Sequence, residues 1–447
     1  MLGVKSLDYN NYYVALKGNY RKGVHRLRGI LENPTVAQEF AENLGGVSVV
    51  LGWPIGNDDK NSAELLALLQ ASSVIDTAAL TWVSQWYADY TDDWDTLASN
   101  LERSTEIAAD PLIWRGVGSS PVGAAKVIAT LAGLTCGDYA DMDAVAASST
   151  AMTAVANSPV AVAAVWGSTA AVSAVKANTT AWATLTGASS SVMGKAVAII
   201  VGLDPADYAD MTAVAASSTA MTAVAASSTA MAAVIANSTA LNAVVSSSTA
   251  MAAVTASSTA MTAICASSMA TAKYAASAAG LDPADYDDMT ALAASSTAMT
   301  AVAASSTAMT AVAASSTAMA AVAASSTAMT AVAASATARN AVTSSSTALS
   351  ALASSSLKKS FTASYSAHSN NAYQYYTGKA FVINFSGSGS ASGTWAFSTL
   401  YSGSATSVST TTYTGTSGTV NKFAENITIQ HGSGSTSDSI TVYYIPC

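Results

Sequence analysis

Ser217-Ser218-Thr219-Ala220-Met221-Thr222-Ala223-Val224-Ala225-Ala226 is followed directly by Ser227-Ser228-Thr229-Ala230-Met231, and variants of the same decapeptide fill the middle of the chain. The anchors are Met142, Met152, Val162, Val172 and Trp182, then Met211 through Met261, then Met289 through Leu349, giving 18 units in three blocks. A second apolar anchor stands three residues after each first one, as Val224 follows Met221. A repeat of this kind decides the architecture before any other feature is read.

A ten-residue period does not suit one continuous helix, because ten steps of about 100° miss three turns by about 80° and the Met/Val stripe would spiral. Strands fit no better, since Ala is depleted in strands and the pattern does not alternate. The remaining reading is a short helix restarted every ten residues. Ser148 and Ser217, each four residues before a Met, are N-cap candidates whose hydroxyls accept from free N–H groups of the first turn. The divergent units agree: Pro159, Pro121 and Pro111 each fall one residue after the proposed cap, the helical position that tolerates proline. Asn33-Pro34 suggests an earlier, divergent unit.

Each block follows a longer apolar helix, Ser120 to Leu134, Ser189 to Leu203 and Ser267 to Leu281, with Lys126, Lys195 and Lys273 at the same offset. Gly133, Gly202 and Gly280, each followed by Leu, have the form of a left-handed helix stop. Thr135, Asp204 and Asp282 are then caps, with Asp138, Asp207 and Asp285 at the acidic third position.

Two-turn helices are marginal alone, so stability has to come from stacking on the Met and Val anchors. The expected architecture is an α-solenoid spacer over 119–356; with two helices per layer it spans on the order of 80 Å. From Ala215 to Ala272 and from Thr290 to Ala338 no residue is charged, so the exposed face consists of hydroxyls and methyls and offers trypsin-like proteases almost nothing.

Only 10% of the 447 residues are charged while 51% are apolar, which rules out a disordered polyelectrolyte, and the net charge of -9 argues against nucleic acid as a partner. Cys136, Cys265 and Cys447 have no metal or disulfide spacing. No run of 18 apolar residues and no signal-peptide pattern occurs, so the expectation is synthesis in a cytoplasm without membrane insertion. Residues 1–118 hold most of the charge and Trp53, Trp82, Trp86 and Trp94, and read as a helical head. Beyond Leu357 the composition turns to Gly, Ser, Thr and aromatics. Period-two stretches at 380–385, 394–401, 408–413, 426–431 and 440–445, separated by clusters such as Ser386-Gly387-Ser388-Gly389-Ser390, predict an antiparallel β-sandwich or jelly roll over 357–447.

Catalytic chemistry is thin. Asp204-Asp207-Asp210 and Asp282-Asp285-Asp287-Asp288 lack the Gly and distal Glu of a calcium loop and read as caps. His25, His368 and His431 have no partner spacing, and Lys17, Arg21, Lys22, Arg26 and Arg28 read as a solvated or docking face. Glu425 and Asp438 are the acids of the β segment, a weak basis for a glycosidase pair. No nucleophile elbow or phosphate loop is present. The expectation is a non-enzymatic protein without cofactor or metal. Tyr373, Tyr375, Tyr376, Trp395, Tyr401 and Tyr413 are candidate receptor contacts by sugar stacking, with core packing as the competing role.

The tandem SSTAMTAVAASSTAM units, over roughly 110–353, joined to a Ser/Gly/Thr-rich segment ending Ile440-Thr441-Val442-Tyr443-Tyr444-Ile445-Pro446-Cys447, resemble repeat-bearing tail-fibre or related structural proteins of tailed bacteriophages. The resemblance implies a virion-anchoring head at 1–118, a spacer and a distal host-binding tip, frequently as a homotrimer; the long heptads of a trimeric coiled-coil shaft are missing here. On this reading the head binds other virion proteins, the tip binds a host-surface glycan or protein, and release is by lysis. The alternatives are a capsid or tail component whose β segment binds virion proteins, a bacterial surface adhesin, and ice binding by Thr-bearing faces.

Overall fold

A computed structural model describes residues 94–110, 114, 117–365, 372–388, 394–399, 409–414, 417–431 and 438–447. The head up to residue 93, with Pro34, the basic run, His25, Trp53, Trp82 and Trp86, lies outside the described residues, as does Pro111. The chain divides into two compact units, Met1–Asp210 and Met211–Cys447.

In the second unit the repeat forms short helices separated by single residues at most joints and by two after Val245, Cys265 and Thr343: Met211–Ala216, Ser218–Ala226, Ser228–Ala236, Ser238–Val245, Ser248–Ala256 and Ser258–Cys265. After the longer Ser268–Ala278 the series resumes at Met289–Ala294 and continues through Ser296–Ala304, Ser306–Ala314, Ser316–Ala324, Ser326–Ala334, Ala336–Thr343 and Ser346–Ala353. Ser227 illustrates the joint. Its N–H donates back to the Val224 carbonyl at 3.1 Å, its extended backbone (φ -96°, ψ 115°) stops one helix, and its hydroxyl accepts from the Ala230 N–H of the next at 3.1 Å. The anticipated N-cap serines and first-turn prolines, Pro121 and Pro159, are all at helix starts.

Two helices per layer would need a chain reversal at every joint, and a single shared residue is too short for one. Consecutive axes instead bend by 101° and 103°, as between Ser218–Ala226 and Ser228–Ala236 or Ser296–Ala304 and Ser306–Ala314. About three helices therefore complete a turn, and each packs on the helix three units earlier. The expected solenoid is present, with three helices per turn in place of two.

A second hydrogen bond, made by cap serines and by Ser277 and Ser355, which cap no helix, fixes the stacking. The hydroxyls of Ser247, Ser257, Ser277, Ser325, Ser335, Ser345 and Ser355 each donate to a carbonyl 32 residues earlier. For Ser247 and Ser325 the acceptors are Ala215 and Ala293, at 2.7 Å. These carbonyls belong to last helical turns, where no intrahelical donor is left. Inside the spiral Met221, Val224, Met299, Val302, Met309 and Val312 are fully buried. Outside it, the Thr222, Thr300, Thr310 and Thr330 hydroxyls donate to carbonyls four residues back, so each occupies its own hydroxyl within its helix.

Block boundaries follow one plan. Gly202 and Gly280 take φ +72° and +76°, and the Leu281 N–H closes the stop on the Ala276 carbonyl at 2.9 Å. Asp204 and Asp282 accept from the N–H of Ala206 and Ala284 at 2.9 and 2.8 Å. Thr135 makes no corresponding side-chain bond, so its capping assignment is corrected. Buried Lys273 donates to the Pro283 carbonyl at 2.9 Å, ten residues on. Across the boundary the serine offsets change to 27 for Ser305 to Ala278 and 50 for Ser315 to Cys265.

In the first unit the same offsets recur, 27 for Ser158 to Leu131 and 50 for Ser168 to Gly118. Lys126 likewise reaches the Cys136 carbonyl at 3.0 Å and pairs with Asp95 at 2.6 Å. The Trp114 indole donates to the Ala164 carbonyl at 3.0 Å, and a Cβ on Gly167 would lie 2.8 Å from that indole nitrogen.

After the last helix come β1 (Lys359–Tyr365), β2 (Ala372–Ser388), β3 (Thr394–Thr399), β4 (Ser409–Thr414), β5 (Ser417–His431) and β6 (Asp438–Pro446), in one antiparallel sheet of order β1-β6-β2-β5-β3-β4. Phe381 and Ile383 of β2, Phe423 of β5 and Ile445 of β6 join the core of the last helices. Ala380, Val382, Phe385, Ala424, Ile427 and Val442 form a second core made of strand residues alone. The expected antiparallel β segment is present. In place of the two sheets of a sandwich, among the described residues one sheet curls over its own core and lays its other face on the helices. Register shifts along β2 accommodate the curl. The Ser386-Gly387-Ser388 cluster, read as a turn, is the end of β2, where a Cβ on Gly387 would collide with the Ser439 carbonyl.

Ser335→Ala removes one cap and leaves the Ala303 carbonyl without its donor, so a loss of about 2 kcal/mol is expected from denaturant midpoints. Phe381→Ala should cost about 3–5 kcal/mol. Because that ring lies in the core shared with the helices, the second unit's helical circular dichroism should melt earlier together with the sheet signal; a drop in the sheet transition alone would contradict the shared core.

Candidate functional site

The sequence-selected aromatics fall into two places. A register shift between Gln374 and Tyr376 interrupts the alternation of β2, and both Tyr375 and Tyr376 pack against the strand core although they are neighbours in sequence. Tyr375 stacks on Phe361 with ring centroids 5.0 Å apart and planes 3° from parallel. Phe361 meets Tyr444 at 5.7 Å, and Tyr444 meets Tyr376 at 4.8 Å. The result is a chain of four rings, with Phe361, Tyr375 and Tyr376 half-buried. Gly378, at φ +114°, lies against the Tyr376 ring.

Burial pushes the Tyr376 and Tyr444 phenols above the ordinary tyrosine value, and for Tyr376 the neighbouring Tyr444 and Cys447 add to the shift. Both are neutral at physiological pH. The cluster is thus an uncharged aromatic surface with hydroxyls, suited to stacking and hydrogen bonding.

The second place is the β3 region. Register sets Trp395 opposite Tyr413 on one side and His431 on the other, a cross-strand row of three ring-bearing residues. Tyr373 stands opposite Ile429 on β5, next to the Phe397 position of β3. Tyr401 and His368 lie outside the described residues. Tyr375 and Tyr376 belong to the ring chain, whereas register pairs Trp395 with Tyr413 across β3 and β4.

A feature missed in the sequence is a groove of roughly 780 Å³ where the second and third blocks meet. Thr255, Thr262, Cys265, Tyr274 and Thr310 line it. The Tyr274 and Thr255 hydroxyls are 2.7 Å apart, and the Cys265 thiol donates to the Ala311 carbonyl at 3.5 Å. Its lining holds no charged side chain. The signal available in the sequence was the departure from the repeat: Cys265 replaces the ninth-position Ala, and Tyr274 interrupts a run of small residues.

All three cysteines are free thiols. Burial raises the Cys265 thiol and pushes Cys447 up to about 12, so neither is a thiolate at neutral pH. Asp141 and Asp288 cap helices. Among the described residues no group of three His, Cys, Asp or Glu is placed to hold a metal ion, and no single helix is long and apolar enough to cross a membrane. The chain matches no protein-family model and no curated protein.

Alkali tests the burial of the phenols. A raised folded-state value means that the neutral form is favoured by folding, so its stabilisation is complete below pH 10, the ordinary tyrosine value, and is lost as pH rises through the higher folded value. Tyrosinate absorbance should therefore lag in the native sheet and appear together with sheet unfolding. Tyr376→Phe should move that unfolding to higher pH, and an unchanged onset would assign it to other groups.

Proposed function

We propose that this protein is a non-enzymatic component of a phage virion, a tail fibre in which the repeat holds the β segment toward a host-surface glycan or protein. The observation that carries the reading is the core shared by the last helices and one face of the sheet: Phe381, Ile383, Phe423 and Ile445 pack among Met and Val anchors of the repeat. A contact made by the sheet is then transmitted to a stacked, regularly bonded rod instead of a loose tether. The ring chain around Tyr375 supplies a stacking surface for sugars or for aliphatic side chains, and register sets Trp395 and Tyr413 opposite each other on β3 and β4. The first residues, 1–118, serve as the virion-docking part.

A second reading keeps the same object inside the particle, as a capsid or tail component whose sheet binds other virion proteins. The uncharged, hydroxyl-covered repeat favours it equally, because such a surface packs against neighbours without desolvating charge.

The test uses the full chain, since a cut at 357 would expose the shared core on both fragments. Fluorescently labelled protein is expected to bind saturably to some strains of a bacterial panel and not others. Tyr375→Ala and Trp395→Ala should each weaken that binding at least about tenfold, the scale of a single aromatic hot spot, when measured at a temperature where circular dichroism shows each variant still folded, since Tyr375 also packs on the strand core. Thr222→Ser, on an exposed helix face, should leave it intact. A chain that binds no strain yet copurifies with virions would transfer the assignment to the internal component.

A further inference from the structure

We infer that the number of decapeptide units in the run from Ser295 to Ala334 sets the direction in which the β segment faces, in steps of about a third of a turn. The inference concerns the second unit's own geometry; only its use in presenting a binding face rests on the function proposed above.

The stacking bonds repeat at 32 residues while the sequence repeats at ten. Ten residues out of thirty-two is about 113° of a turn, so one unit moves everything after it by that angle around the spiral. The bends of 101° and 103° between consecutive axes are about 10° smaller and likewise put roughly three units in a turn. Three units are thirty residues, about 22° short of a full turn, and they raise the following part by one helix layer, on the order of 9 Å.

The units are also interchangeable. Ser296–Ala304, Ser306–Ala314 and Ser326–Ala334 have the same sequence, STAMTAVAA, and Ser316–Ala324 differs from them at Ala320 alone. An added copy finds the same Met and Val positions below and above it, and its cap serine finds a penultimate Ala carbonyl to donate to. The sheet does not stay behind when a unit is added. It is packed on Ser326–Ala334 and Ala336–Thr343 and shares their core, so it turns with them. The identical exposed faces mean that the rod itself is unaltered in surface chemistry. What changes with copy number is the bearing of the sheet and, every third unit, its height.

The test inserts one or three copies of Ser305–Ala314 after Ala314 in the full chain, with Cys136→Ala, Cys265→Ala and Cys447→Ala to clear native thiols. A nitroxide on Glu425→Cys is paired in turn with one on Ser218→Cys, Ser228→Cys or Ser238→Cys, exposed residues on three successive helices that occupy the three corners of one turn. Pulsed dipolar spectroscopy gives three distances per protein. One inserted copy should permute their order by one corner. Three copies should keep the original order while lengthening all three. Melting temperatures should not fall in either, since each unit adds its own neighbour contacts. The inference is overturned by an unchanged order with one copy, by a permuted order with three, or by loss of cooperative melting with either. None of these readouts involves host cells, so a failure of host binding and a failure of this inference are separate results.

Discussion

Everything in the repeat depends on one serine hydroxyl that serves two helices at once. Ser335 accepts from the Ala338 N–H of the helix it begins and donates to the Ala303 carbonyl of Ser296–Ala304, the helix three units before the one it ends. A hydroxyl can do both because it carries one donor and two acceptor sites. An aspartate could cap but not donate, and an alanine could do neither. The two partners it joins are both orphans of helix ends, an N-terminal N–H and a C-terminal carbonyl. A nine-residue helix is too short to lose both, so the serine converts a liability of short helices into the bond that stacks them.

The same residue explains the triangular course of the chain. With one residue between helices there is room for a bend of about 100° and none for a reversal. Three such bends enclose an interior that is narrow, and this is why its side chains in the third block, Met289 to Leu352, are Met, Val, Leu and Ala with no large aromatic among them. At Cys265 the stacking offset is 50 instead of 32, and a groove opens there beside Tyr274. Irregularity in sequence and irregularity in register therefore coincide at the block boundary.

Much of this was readable from residues alone. The ten-residue period excluded one long helix, proline positions marked the helix starts, and Gly280-Leu281 announced a left-handed stop. The number of helices per turn was not readable, because it depends on how far one residue can bend the chain, and no apolar period reports that angle. The 32-residue offset is equally silent in sequence: every serine at that position looks the same whether its donor goes to the helix two or three units earlier. In the β segment the alternating halves of β2 and β5 were recognisable, whereas 372–379 and 417–425 were not. There the register shifts and Gly378 break the period of two, and β1, Lys359–Tyr365, has no apolar alternation long enough to stand out. Of the candidate site, the aromatic identities were visible. The bulge that turns Tyr375 and Tyr376 onto one core was not, since a bulge is a property of the pair of strands and is written in neither strand by itself.

The sheet also answers a problem that the repeat creates. A solenoid built by stacking ends in an exposed layer, and here that layer would present the buried positions of the last helices to water. Solenoids meet this with terminal repeats that carry a polar outer face. This chain uses the sheet: Phe381, Ile383, Phe423 and Ile445 cover the end of the repeat, while Ala380, Val382 and Phe385 serve a separate strand core. The alternation of a central strand, with apolar residues on both faces, is what lets β2 belong to two cores. Ser355 shows how close the two parts are joined. It keeps the ten-residue spacing one step past Ser345, begins no helix, and still donates to the Ala323 carbonyl before the chain enters β1. The stacking rule of the repeat thus runs up to the first strand with no linker between them, and the placement of the sheet follows from the placement of the last unit.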